Sequence, residues 1–195
     1  EGEKVVRAPL VISVTATGQA AAMRQVILST QVAGRVARLP VHESERLSAG
    51  ALVAGLDAAE YQLALEQAEA QRARGEATFR ELTLFDDRIE DPALRAERAR
   101  VARAKSGLAE GEIAVRKAQL DLDRTTITTP FAGALANLKV VPGQQLSAGT
   151  ELATLVALDP IKVEVQVLES EVGFLGAGRR AQVSFAAFPG EKFTG

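Results

Sequence analysis

Side chains able to do covalent, redox or metal chemistry are nearly missing from this sequence. Cysteine is absent, and His42 and Met23 are the whole supply of imidazole and thioether. Disulfides, thiol catalysis and thiolate metal sites are therefore excluded within the chain, and a soft-metal site lacks a donor set. His42 stands in a polar stretch before Glu43 and Glu45 and reads as an exposed side chain rather than a ligand. No nucleophile is paired with a base, and no glycine loop is built to cradle a phosphate. Arginine and lysine do cluster, at Arg95, Arg98, Arg100, Arg103 and Lys105, while Glu60, Glu66, Glu69, Glu76 and Glu81 lie upstream. The formal net charge is −2, so the chain as a whole has no electrostatic case for nucleic acid. Complementary faces of a solvated helical pair account for both charged sets. The chemistry on offer is that of a binding or linking protein, not of an enzyme, and no cofactor is expected.

With 47% hydrophobic and 25% charged residues, the chain has enough apolar material to bury a core. An internal repeat organises that core. Thr30–Leu56 slides onto Thr129–Leu155 without a gap. Identities include Thr30/Thr129, Ala33/Ala132, Gly34/Gly133, Leu39/Leu138, Val41/Val140, the run Leu47–Gly50 on Leu146–Gly149, and Leu56/Leu155. Each copy reads as short strands around polar turns at Ala49-Gly50 and Pro142-Gly143. Two such units, each with one apolar face, bury those faces against each other.

Between the copies the sequence turns helical. Tyr61, Leu65, Ala68, Arg72, Gly75, Phe79 and Leu82 fall at alternating steps of four and three. Leu94, Val101, Ala104, Leu108, Gly111, Val115, Ala118 and Leu122 keep a heptad register over a single run from Pro92 to Arg124. These are the narrow stripes of a coiled coil, with arms of roughly 40–50 Å. Ala68, Gly75, Ala104 and Gly111 are small enough for close approach, and the stem of Arg72 lies along the seam. The short link Phe85–Asp91 makes the helices antiparallel neighbours, with Asp91 as N-cap and Pro92 as first helical residue.

The flanks read as strands: Leu10–Thr15, ended by Ala16-Thr17-Gly18; Ile161–Val167, alternating with period two; and Ala181–Phe185. No stretch approaches the roughly 20 apolar residues that span a bilayer. The sequence opens at Glu1 without a signal-peptide pattern, and Phe185–Gly195 reads like the middle of a β domain. The chain is expected to be a fragment whose targeting segment lies outside it.

This nested order, β flank, half-repeat, helical hairpin, half-repeat, β flank, resembles the membrane fusion protein family, the HlyD-like or resistance-nodulation-division (RND) periplasmic adaptors. Val14–Gly18 looks like the entry strand of the family's β-barrel domain. Val32–Val36 and Leu47–Asp57 look like its first lipoyl half-motif, and Ile127–Gly133 like the opening of the second. Val165–Glu169, Gly178 and Phe193–Gly195 resemble the returning barrel.

The resemblance implies a mixed α and β fold: a split lipoyl-like (barrel-sandwich hybrid) domain with an inserted antiparallel coiled-coil hairpin, flanked by a partial β-barrel. The expected limits are 26–57 and 125–157 for the lipoyl-like domain, 58–124 for the hairpin, and 1–25 and 158–195 for the barrel. The implied task is to link an inner-membrane transporter of RND type, or else an ABC exporter or type I secretion system, to a TolC-like outer-membrane channel. The compact arms favour a small-molecule RND pump. A ring of six copies in the assembled pump, and an anchor to the inner membrane through an N-terminal segment outside this chain, are implied as well. Hairpins with a TolC-type tip carry an Arg, a Leu four residues later and a Ser seven residues after that. Arg80 and Leu84 match, and Asp91 stands at the Ser position. These three are the expected channel contact. Lipoyl and biotinyl carriers instead hold their cofactor on a lysine at the turn between the halves. Here no lysine lies between Asp57 and Lys105, which disfavours a carrier of an acyl- or carboxyl-transfer enzyme.

Overall fold

A computed structural model describes residues 13–195. In chain order the elements are β1 (Gly18–Ser29), β2 (Gly34–Arg38), β3 (Arg46–Leu47), β4 (Leu52–Leu56), α1 (Ala59–Thr83), a 3-10 turn (Asp86–Arg88), α2 (Pro92–Ser106) and α3 (Leu108–Asp123). They continue with β5 (Thr126–Thr128), β6 (Gly133–Ala136), β7 (Gln145–Leu146), β8 (Glu151–Val165), α4 (Glu169–Val172), β9 (Gln182–Val183) and β10 (Phe193–Thr194). One compact unit comprises Ala22–Pro160; the other takes in the described residues up to Ala21 together with Ile161–Gly195. Among the described residues no helix is long and apolar enough to cross a membrane.

In the larger unit the two copies of the repeat make a β-sandwich by exchanging strands. One sheet runs β1-β8-β6-β3 and the other β5-β4-β2-β7. Each sheet therefore takes its short edge strand from the opposite copy: β3 pairs with β6, and β7 with β2. The linking hydrogen bonds come in matched pairs. The Thr30 hydroxyl donates to the Ser147 carbonyl (2.7 Å) and the Thr129 hydroxyl to the Ser48 carbonyl (2.5 Å). Leu135 N–H donates to the Glu45 carbonyl and Val36 N–H to the Gln144 carbonyl, both at 2.9 Å. Ser44 and Gly143 occupy equivalent turns with φ of 67° and 85°. Glycine takes that conformation freely and serine does so at a cost, so the first copy carries the more strained turn.

The paired faces enclose Val36, Val53, Leu135, Leu152 and Leu155, none more than 1% exposed. They are the apolar repeat positions of both copies, so one sequence pattern, used twice, supplies the core. Thr30 and Thr129 are equally buried. Their hydroxyls are satisfied by the opposite copy, as burial of a polar group requires.

The helical insertion departs from the expected pair of unbroken arms. Gly107 adopts the left-handed conformation (φ 72°) and divides the second arm into α2 and α3. The Ser106 hydroxyl accepts from Leu108 N–H at 3.2 Å, so the interruption satisfies its own backbone. Below it the stripe is as expected. Ala68, Gly75, Leu108 and Gly111 are buried, with Tyr61, Leu65, Phe79, Val115, Ala118 and Leu122 half-buried. Above it the register slips. Leu94, Val101 and Ala104 are exposed, and Ala102 is buried in their place.

The two glycines set the spacing of α1 and α3. A Cβ on Gly75 would lie 2.8 Å from Leu108 Cα, and one on Gly111 would lie 2.7 Å from Arg72 Cα. Arg72 is exposed, its backbone rather than its stem forming the contact. The ion pairs also differ from those expected. Arg98 pairs with Asp86, Arg100 with Glu97 and Arg103 with Glu112, while Glu76 pairs with Arg80 on its own helix. The basic run thus reaches the turn and its own arm, not the glutamates of the first helix. Arg100–Glu97 and Glu76–Arg80 are the pairs three and four residues apart on one helix, where side chains are neighbours.

In the smaller unit the expected strand Leu10–Thr15 falls partly on residues 10–12, outside the described residues, and Ser13–Thr17 are not in a strand. Strand β1 instead begins at Gly18, where the expected strand was to end. Its neighbour β8 stops at Val165, beside Gly18, leaving earlier residues no ladder to join beyond the bond from Gln166 N–H to the Thr17 carbonyl. The 181–185 strand shortens to β9, paired antiparallel with β10 and closed by Phe185 and Phe193 in edge contact at 5.4 Å. On β8, Lys162 Nζ donates to Glu164 Oε1 at 2.5 Å. That hydrogen bond, then the charge of Lys162, holds the Glu164 carboxyl below its ordinary range.

Candidate partner-binding site at the hairpin turn

The hairpin is rooted in the sandwich at both ends. Strand β4 leads through Asp57 and Ala58 into α1, and α3 returns through Arg124 and Thr125 to β5. Leu56 N–H donates to the Thr125 carbonyl and Asp57 N–H to the Arg35 carbonyl, both at 2.8 Å. The Tyr61 hydroxyl donates to the Ala33 carbonyl at 2.6 Å. The turn that a lipoyl carrier would use for its lysine is thus occupied by helix roots. Lys105 and Lys117 lie in α2 and α3 instead. Among the described residues no cluster of His, Cys, Asp or Glu could hold a metal, and the His42 side chain is exposed beside Glu45.

At the other end α1 stops at Thr83, whose hydroxyl donates back to the Phe79 carbonyl (2.9 Å). Leu84 follows as the C-cap, and Phe85 comes next, 66% and 63% exposed. Two adjacent large apolar side chains left in water are the informative feature here, because their exposure forfeits burial free energy. The Arg88 guanidinium sits 5.4 Å from the Phe85 ring centroid and leaves the ring largely open.

Behind this apolar pair the turn is clamped. Asp86 is buried, and Arg98 Nε donates to its Oδ1 at 2.8 Å. Its Oδ2 is also buried and meets no hydrogen-bond partner among the described residues. Arg95 donates to the Ile89 carbonyl, which ties the first turn of α2 to the loop. Asp91 Oδ1 accepts from Ala93 N–H at 2.8 Å, and Pro92 is the first helical residue.

The three residues singled out in the sequence all lie at this end of the hairpin. Arg80 and Leu84 are one helical turn apart on α1, and Asp91 opens α2. Arg80 is exposed and engaged with Glu76 at 2.5 Å, a surface pair whose loss costs about 0–1 kcal/mol. Asp91 spends one carboxylate oxygen on the helix cap and keeps the other for solvent or a partner. Sequence reading missed Phe85, Asp86 and Arg98. The available signal was Phe85 itself, the one aromatic residue in a link otherwise made of charged residues and Ile89.

Among the described residues the turn thus presents two exposed apolar side chains on a loop held by ion pairs and a helix cap. Comparison with known proteins places the chain in a family. Residues 24–158 match the family described as RND MFP, barrel-sandwich hybrid domain. The multidrug resistance protein MdtA of Cronobacter turicensis is 29% identical over 178 residues, covering 86% of this chain and 43% of that protein. The chain therefore spans less than half the length of this relative. Among solved structures, a MacA-MexA chimeric protein containing the Pseudomonas aeruginosa MexA α-hairpin domain has a TM-score of 0.74 at 22% identity, covering 92% of this chain and 64% of the other. A putative efflux transporter from Bacteroides eggerthii has a TM-score of 0.71 at 20% identity, covering 97% and 59%. The chain belongs to the RND membrane fusion protein family, whose barrel-sandwich hybrid domain it carries.

Proposed function

We propose that the protein is a non-catalytic periplasmic adaptor of a tripartite efflux pump, and that its hairpin turn meets an outer-membrane channel of TolC type. An RND transporter in the inner membrane is the partner at the other end. The observation that carries this reading is the turn itself: Leu84 and Phe85 stand exposed at the far end of a long, mostly polar arm, on a loop held by buried Asp86. Family membership and the fold shared with other efflux adaptors support it. The domain limits 26–57 with 125–157, 58–124, and 1–25 with 158–195 belong to the same proposal, as do a ring of six copies and an N-terminal membrane anchor outside this chain.

In this reading Leu84 inserts as an apolar anchor and Arg80 offers its planar fork of donors to carboxylates or carbonyls of the channel. Asp91 caps α2 and faces the partner. The experiment is Leu84→Asp in the full-length protein, with efflux measured in cells and helix content by circular dichroism. A charge placed in a desolvated contact should abolish efflux while the arms stay folded. Normal efflux would move the contact elsewhere, and lost helix content would make Leu84 a structural residue.

A further inference from the structure

The seam between the arms changes register partway up, although the sequence repeat does not. Gly75 lies against Leu108 and Gly111 against Arg72. Continued toward the sandwich, this antiparallel register sets Ala68 opposite Val115, Leu65 opposite Ala118 and Tyr61 opposite Leu122, all buried or half-buried. Continued toward the turn, it sets Phe79 opposite Ala104 and Leu82 opposite Val101. There the register has slipped onto Ala102, which is buried, and the heptad residues are left out: Leu82 is 40% exposed, Val101 41% and Leu94 51%. Yet Leu94, Val101, Leu108, Val115 and Leu122 recur every seven residues, the repeat of one uninterrupted coiled-coil helix. The repeat runs straight through Gly107, where the backbone breaks.

The break is local. One glycine takes the left-handed conformation, and one serine hydroxyl caps the next helix. Nothing lies within 4 Å of where a Gly107 Cβ would stand. A surface groove beside the break, lined by Phe79, Arg80, Leu108 and Glu112, gives the chain room to rearrange.

We infer that the outer part of the hairpin exchanges between this broken arrangement and a zippered one, in which residues 92–123 form a single helix. In the zippered arrangement α2 is turned by about 100°, one residue's step around the axis. Val101 replaces Ala102 in the interface, and Phe79–Ala104 and Leu82–Val101 add two layers to the seam. The two arrangements differ in their contacts, as a switch requires: the broken one keeps the Ser106–Leu108 cap and buries Ala102, while the zippered one buries Leu82 and Val101. The inference concerns the arms alone and stands whether or not the turn meets a channel.

The natural chain has no cysteine, so disulfide trapping reads this equilibrium directly. Leu82→Cys with Val101→Cys reports the zippered state, because a disulfide needs Cα atoms within about 7 Å. Ala68→Cys with Val115→Cys, below the break, serves as reference and shows that the arms are folded. Gly107→Ala disfavours the left-handed turn and favours helix, so it should speed closure of the upper pair roughly tenfold to a hundredfold. Gly107→Asn, which tolerates the left-handed turn, should change it little. The reference pair should close at one rate whatever stands at 107. The inference is overturned if the upper pair stays open with Gly107→Ala while the reference closes, if its rate ignores residue 107, or if the reference pair fails to close.

Discussion

Replacing Gly111 by alanine sets two well-measured effects against each other. In a free helix the change gains about 1 kcal/mol, because glycine is the poorer helix former. At the α1–α3 contact the new methyl would sit 2.7 Å from Arg72 Cα and 2.9 Å from Arg72 N. Carbon atoms settle at about 3.5–4.0 Å, so the arms must part by roughly 0.8 Å. The obstacle is backbone and cannot swing aside. Overpacking of this kind costs about 1–3 kcal/mol. The net expectation is destabilisation by about 1 kcal/mol. Gly75→Ala, with its methyl 2.8 Å from Leu108 Cα, should behave alike. Both changes push the same contact apart, so the double variant should cost less than the two singles together. Thermal unfolding followed by helix ellipticity checks all three. A raised midpoint in either single variant would show that the arms are not interlocked at these glycines, and the register drawn from them would fall.

Other outcomes follow from the same physics. Arg98→Ala should destabilise the turn more than Asp86→Ala, by about 1–3 kcal/mol, because it strands a buried carboxylate while the reverse returns a half-exposed guanidinium to water; chemical denaturation with a probe at the turn measures the difference. Thr30→Val should cost about 1 kcal/mol by removing its bond to the opposite copy, and Thr129→Val should cost more, since its hydroxyl also accepts from Ala51 N–H at 3.0 Å. A neutral effect of either change would deny that these hydroxyls tie the two copies together. Lys162→Ala should raise the Glu164 carboxyl pKa back to the ordinary range in a carbon-detected NMR titration. With that pKa lowered in the folded state, whatever the pair adds is present above the unfolded carboxyl pKa and lost as pH falls through the folded one. The isolated chain at micromolar concentration should run mainly as monomer or a small oligomer by light scattering, and a stable hexamer would contradict that.

The nested fold was legible because a repeat and a heptad are both periodic, and periodicity survives averaging over many residues. Thr30 and Thr129 marked the ends of the two copies, and the glycines at 75 and 111 marked the contact between arms. The strand exchange was hidden, since β3 and β7 are two residues long and their partners lie far away in sequence. Gly107 was hidden for the opposite reason. One left-handed residue is enough to end a helix, and the heptad around it gives no sign of a stop. At the turn, Asp91 and Pro92 announced the cap through residue type alone. The clamp of Asp86 by Arg98 depends on which carboxylate ends up buried, and a run of five basic residues does not say which one reaches it.

The most direct test of the adaptor reading is to place a photo-crosslinking residue at position 84 of the full-length protein in living cells. An equivalent substitution at exposed Ile113, on α3, serves as the control. Mass spectrometry then identifies what is captured. The expected result is capture of an outer-membrane channel from position 84 and not from 113. Capture of no channel from position 84, with the protein present and folded, would contradict it.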